Sequence, residues 1–184
     1  MDTRTLDLDK IIAGCKRNDT QARKELYELY APAMLGICVR YTKEKETARD
    51  ILQDGFIKIY TKINTYSGTG SFEGWMKKVF VTTALEYLRD DKSLHYHTEI
   101  SNYQESIEDF SVSVVNELSA KEIIDCIQEL PDGFRTVFNL YAIEGYSHAE
   151  IASMLHIKEA SSRSQYARAR QLLQIRIKEL FSKK

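Results

Sequence analysis

The 184 residues are 43% hydrophobic and 29% charged with a formal net charge of −1, which supports both a buried core and a wet surface and excludes a disordered chain. Only 8 Gly and 2 Pro exclude a loop-rich β architecture and favour long helices. No run approaches the roughly 18 apolar residues of a membrane span. The opening MDTRTLDLDK lacks the apolar stretch of a secretory signal, which predicts a cytoplasmic protein without direct membrane insertion. Cys15, Cys38 and Cys126 are far apart and fit neither a disulfide framework nor zinc-ligand spacing. They read as reduced, buried thiols, and no metal or other cofactor is expected.

In chain order, Leu8, Ile11 and Ile12 predict a helix over 6–17. Asp19 or Thr20 caps the next, whose inner face is Ala22, Leu26 and Leu29. Pro32 is expected to break or restart that helix, which continues over 33–41. Thr42 or Lys43 opens a third helix. Its apolar stripe is Ile51, Leu52, Gly55, Phe56, Ile59, Tyr60 and Ile63, and its opposite face is Glu46, Asp50, Gln53, Asp54 and Lys58. Small polar residues and two glycines over 64–71 predict a loop. Ser71 then starts a helix lined by Phe72, Trp75, Met76, Val79, Phe80, Thr83, Ala84, Tyr87 and Leu88.

Regularity is lost after residue 90. The acidic, Ser-rich segment predicts a linker, and a linker of this length argues for two domains. Helices are expected again near 117–130, 132–144, 147–155 and 158–182, with Pro131 at a helix start. Charge follows the same division. Residues 1–92 hold 16 Lys+Arg against 14 Asp+Glu, residues 93–130 hold 1 against 8, and residues 131–184 hold 9 against 5. An acidic segment between two mildly basic blocks suggests a polyanion partner.

The segment 145–170 carries the densest chemistry. Ser147 and Glu150 form a capping box, Ile151, Ala152 and Leu155 an apolar face, and His156-Ile157 a turn before a second helix. The small Ala152 lets two helices cross closely, as a helix-turn-helix requires. Arg163, Ser164, Ala167 and Arg168 share one face of the second helix and no acid is expected there, while Tyr166, Ala169 and Leu173 face inward. Arginine there can reach phosphate or pair with guanine in the major groove. Residues 158–184 carry 8 basic and 2 acidic side chains.

RDILQDGFIKIYTKINTYSGTGSFEGWMKKVFVTTALEYLR resembles domain 2 of bacterial extracytoplasmic-function (ECF) sigma factors, which belong to the sigma-70 family. LPDGFRTVFNLYAIEGYSHAEIASMLHIKEASSRSQYARARQLL resembles their domain 4. The resemblance implies an all-α protein of two small helical domains joined by an acidic flexible linker: 1–91 as sigma domain 2, 92–116 as linker and 117–184 as sigma domain 4. It implies an RNA polymerase sigma factor that binds the β and β′ subunits of core polymerase and directs promoter recognition and transcription initiation without catalysis. Asp50, Gln53 and Asp54 would dock on the polymerase clamp. Tyr66, Ser67, Gly68, Thr69, Gly70 and Ser71, with Trp75, Lys77, Lys78 and Thr82 behind them, would take the −10 element and a base flipped from its nontemplate strand. Ser161, Ser162, Arg163, Ser164, Ala167, Arg168 and Arg170 would meet the −35 element. The linker would thread near the active-site cleft, and an anti-sigma factor would hold the protein inactive. The chain departs from the family pattern at Val81-Thr82, where Arg-Asn is frequent, at His156, where glycine is common, at 160–162, where Gly-Thr-Val is frequent, and at Asp90-Asp91.

Two other classes fit parts of the sequence. A plain helix-turn-helix regulator would pair the second block with a helical sensing or dimerisation domain and bind a palindrome as a dimer. An enzyme would need a constellation that His95, His97, His148 and His156 do not form: no nucleophile triad, metal quartet or phosphate-binding glycine loop is present.

Overall fold

A computed structural model describes residues 3–90 and 119–182; the linker expected at 92–116 lies outside the described residues. The chain divides into two compact units, 1–91 and 92–184. Among the described residues both are helical and neither contains a strand.

The first unit holds α1 (Thr3–Lys16), α2 (Thr20–Tyr41), α3 (Lys45–Lys62), a 3₁₀ turn (Ile63–Thr65) and α4 (Phe72–Asp90). Asp19 caps α2, its carboxylate accepting the Ala22 N–H at 3.0 Å. The break expected at Pro32 does not occur, and α2 runs through it. Proline removes the donor that the Glu28 carbonyl would use, but Glu28 and Pro32 are both exposed, where water can serve a freed carbonyl. Continuity through Pro32 aligns the buried track on Leu26, Met34, Ile37, Cys38 and Tyr41. Leu29 falls off this track and is 56% exposed, contrary to the expected inner position. Thr42 does not open α3 either. It closes α2, its hydroxyl donating to the Cys38 carbonyl at 3.3 Å, and α3 starts at Lys45.

Ile51, Leu52, Gly55, Phe56 and Ile59 of α3 are buried against α2 and α4. The Phe80 ring of α4 lies against Gly55, where a Cβ would run into it, and packs edge-on to Phe56 with centroids 5.3 Å apart. A missing side chain therefore sets how closely α3 and α4 cross.

The second unit holds α5 (Ala120–Gln128), α6 (Asp132–Phe138), a π turn (Asn139–Ile143), α7 (His148–Leu155) and α8 (Glu159–Ser182). The single helix expected over 132–144 is thus α6 followed by the π turn. Ser119 and Ser147 each form a capping box, with Glu122 and Glu150. Cys126, Ile127 and Leu130 pack against Ala169 and Leu173 of α8. Arg135 is buried. Its Nη1 donates to the Gln128 and Leu130 carbonyls, both at 3.0 Å, and its guanidinium pairs with Asp132. Burial pulls its pKa down and Asp132 opposes that. Arg135 therefore holds the α5–α6 turn, and its charge is not part of the exposed basic surface of the unit.

All three cysteines are buried and unpaired, and burial pushes the Cys38 thiol up to about 12, which leaves it unreactive. Among the described residues no helix is long and apolar enough to cross a membrane.

Gly55→Val forces the Phe80 ring away from α3, and overpacking of this kind costs about 2–3 kcal/mol. Urea unfolding of the variant should show that loss, whereas an unchanged midpoint would mean that the α3–α4 crossing is not limited at Gly55.

Candidate functional site

On α3, Asp50, Gln53 and Asp54 are exposed at helical spacing and form one strip. Glu46 pairs with Arg49 at 2.7 Å. Lys58, expected on the same face, is half-buried and turns to Glu86 of α4. Lys58 is thus drawn away from the strip, where Asp50 and Asp54 leave the charge acidic. Ile57, four residues after Gln53 and 54% exposed, gives the strip an apolar end. Sequence reasoning passed over Ile57, although its register, one residue after Phe56, already puts it off the inner stripe.

The 66–71 loop is anchored at its root and open at its tip. Ile63 is buried. The half-buried Tyr66 ring packs against Phe72 (5.0 Å) and Trp75 (5.7 Å), and its hydroxyl donates to the Gly70 carbonyl at 2.9 Å. Gly68 and Gly70 sit at φ +80° and +77°, a region that disfavours side chains. Ser67 and Thr69 share a hydroxyl–hydroxyl hydrogen bond of 2.6 Å, and Ser71 Oγ accepts the Gly74 N–H at 3.3 Å, which starts α4. Ser67 to Ser71 are exposed. Behind them Trp75 stacks on Phe72, with centroids 5.5 Å apart and planes 28° apart. Lys78 and Thr82 extend the Trp75 face along α4, and Lys77 pairs with Glu73 at 2.7 Å. The loop tip and this face form a small polar surface with one aromatic edge.

In the second unit, α7 and α8 form the expected helix-turn-helix. His156 takes the left-handed conformation at φ 55° that ends α7, and its N–H bonds the Ala152 carbonyl. Ile151, Ala152 and Leu155 are buried. His148 stacks on Tyr141 of the π turn, with centroids 4.2 Å apart and planes 11° apart. Its Nδ1 shares a hydrogen bond of 2.9 Å with Ser162 Oγ. Ser162 is therefore buried and holds α8 to α7, so it is unavailable to a partner, contrary to the expectation. Ser161 and Arg168 are half-buried, and Arg163, Ser164, Ala167 and Arg170 are exposed. The face also carries an acid, since Glu159 pairs with Arg163 one turn on. Both groups are largely exposed, so the pair is worth only a few tenths of a kcal/mol and a phosphate can displace the glutamate. His95 and His97 lie outside the described residues, and among the described ones no cluster of His, Cys, Asp and Glu could hold a metal ion.

Residues 26–93 match the sigma-70 region 2 family, and residues 115–173 match the sigma-70 region 4 family. The chain is 26% identical over 182 residues to the ECF RNA polymerase sigma-E factor of Haemophilus influenzae, covering 92% of this chain and 95% of that protein. The chain belongs to the ECF sigma factors. It is also 26% identical over 166 residues to the ECF sigma factor SigM of Bacillus subtilis, covering 86% of this chain and 94% of that one. A solved structure of the sigma factor RpoE with the anti-sigma factor NepR from Bartonella quintana shares the fold, with a TM-score of 0.52 and 18% identity over 84% of this chain and 96% of that one. As a sigma factor the protein is an initiation subunit and not an enzyme. The regulator reading falls, because the region 2 family accounts for most of the first unit.

The His148 clamp of this sigma factor titrates. Burial first, and then Arg163, hold its pKa below the usual histidine value, against a weaker opposing pull from Glu159. A depressed histidine pKa means that the unfolded chain takes up the proton first, so stability falls as pH drops through the unfolded value of about 6.5. Thermal unfolding between pH 7.5 and 5.5 should show the second unit losing stability, and His148→Gln should reduce that loss. Equal pH dependence in the two proteins would contradict the clamp.

Proposed function

We propose that this sigma factor docks on core RNA polymerase through the α3 strip and reads promoter DNA with two separate surfaces. The observation that carries the reading is the segregation of charge. An exposed strip of Asp50, Gln53 and Asp54 ends in Ile57 on one unit, while the other unit presents Arg163, Ser164, Ala167 and Arg170 on one helix. An acidic strip suits a basic protein surface, where complementary charge sets register and on-rate, and Ile57 adds apolar burial. A basic recognition helix suits the major groove of the −35 element.

The loop of Ser67 to Ser71 with Trp75, Lys78 and Thr82 takes the −10 element. Glycines at positive φ let main chain approach a base closely, and the aromatic edge supports stacking. Unpairing and flipping a base costs a few kcal/mol, which capture in the loop must offset. Promoter opening is then driven by binding energy. The factor acts in the cytoplasm. The solved RpoE structure contains an anti-sigma factor; for this chain an anti-sigma factor covering the α3 strip would block polymerase and hold the protein inactive.

Asp54→Lys reverses charge at an exposed position, so folding should be unaffected while affinity for purified core polymerase falls about tenfold or more, equivalent to ~1.4 kcal/mol. Fluorescence titration of labelled factor with core measures this. Unchanged affinity would remove the α3 strip as the docking surface.

A further inference from the structure

Lys16 ends α1 and reaches fifty residues along the chain. Its Nζ donates to the Tyr66 carbonyl at 3.1 Å and stands 6.0 Å from the centroid of the same residue's ring. Tyr66 is the root of the 66–71 loop. Its N–H bonds the Ile63 carbonyl at 3.2 Å, its hydroxyl closes on the Gly70 carbonyl, and its ring packs on Phe72 and Trp75. One ammonium group therefore grips the residue that ties the two ends of the loop together.

Lys16 is itself delivered from a rigid corner. The Arg17 and Asn18 N–H groups bond the Gly14 and Cys15 carbonyls, both at 3.0 Å. Asn18 takes the left-handed conformation at φ 63°, and Asp19 then caps α2. The lysine stem leaves a backbone with little freedom, while the loop that it holds contains two glycines, whose freedom must be lost when the loop orders. A loop ordered beforehand binds without that cost.

We propose that Lys16 is a positioning residue for base capture: α1, through the Tyr66 carbonyl, holds the loop in its base-accepting geometry. The inference rests on the reading of the loop as the −10 surface. It separates from a simple phosphate contact by specificity. A phosphate contact adds affinity for every strand alike, whereas positioning adds it only where the captured base is present.

The test uses holoenzyme assembled from core polymerase and the full chain, with a fluorescent single-stranded nontemplate oligonucleotide from a promoter mapped for this factor. A second oligonucleotide has an abasic site at the captured position. Wild type should bind the intact strand more tightly than the abasic one. Lys16→Met should weaken the intact strand fivefold or more and bring the intact-to-abasic ratio towards one, with core affinity unchanged. Lys16→Arg, which keeps a cation within reach, should restore the ratio to within twofold. Lys16→Gln serves the same test if the methionine variant does not fold. Unchanged affinity and ratio in the methionine or glutamine variant, or equal weakening of both strands, would overturn the positioning role. A wild type indifferent to the abasic site would overturn the −10 reading itself, and the role of Lys16 with it.

Discussion

The Phe80 ring occupies the space that a side chain at position 55 would need, and the working surfaces of the first unit follow from that contact. With α3 and α4 this close, the apolar stripe from Ile51 to Ile59 is sealed inside. Helical geometry then leaves Asp50, Gln53 and Asp54 facing outward. The same crossing fixes the end of α3 and the start of α4, so the connecting loop is held at both ends while Ser67 to Ser71 between them are exposed. An exposed acidic strip and a loop anchored at its root are thus two products of one packing contact.

The second unit relies on polar contacts in the equivalent places. Arg135 fills a turn with a buried cation, and its carbonyl and carboxylate partners make that burial tolerable. His148 and Ser162 join the two helices of the helix-turn-helix through a hydrogen bond. Where family members commonly use Gly-Thr-Val, this chain thus substitutes a polar lock at Ser162. Such a lock fixes the register of α8 on α7, and with it the direction in which Arg163 and Ser164 point.

Much of this was legible in the residues. Helix order, the loop, the capping box at Ser147 and the exposed acidic strip on α3 follow from periodicity and from rules for caps and turns, which are local. What stayed hidden was set by partners distant in sequence. Lys58 turns away from the strip because Glu86 lies across from it on α4. Ser162 leaves the outward face of α8 because His148 takes its hydroxyl. Leu29 is exposed because α2 does not stop at Pro32, a proline whose cost is small on a solvent-facing side. Lys16 carried no signal at all, since its partner is a main-chain oxygen fifty residues on. Ile57 could have been found, because its register excluded it from the core stripe.

The central claim is that this chain gives core polymerase a choice of start site. The most direct measurement is transcription of fragmented genomic DNA by purified core polymerase with and without the full-length factor, with transcript 5′ ends mapped. The account predicts discrete start sites that appear only with the factor and share two short elements at fixed spacing upstream. Start sites no different from those of core polymerase alone would contradict it.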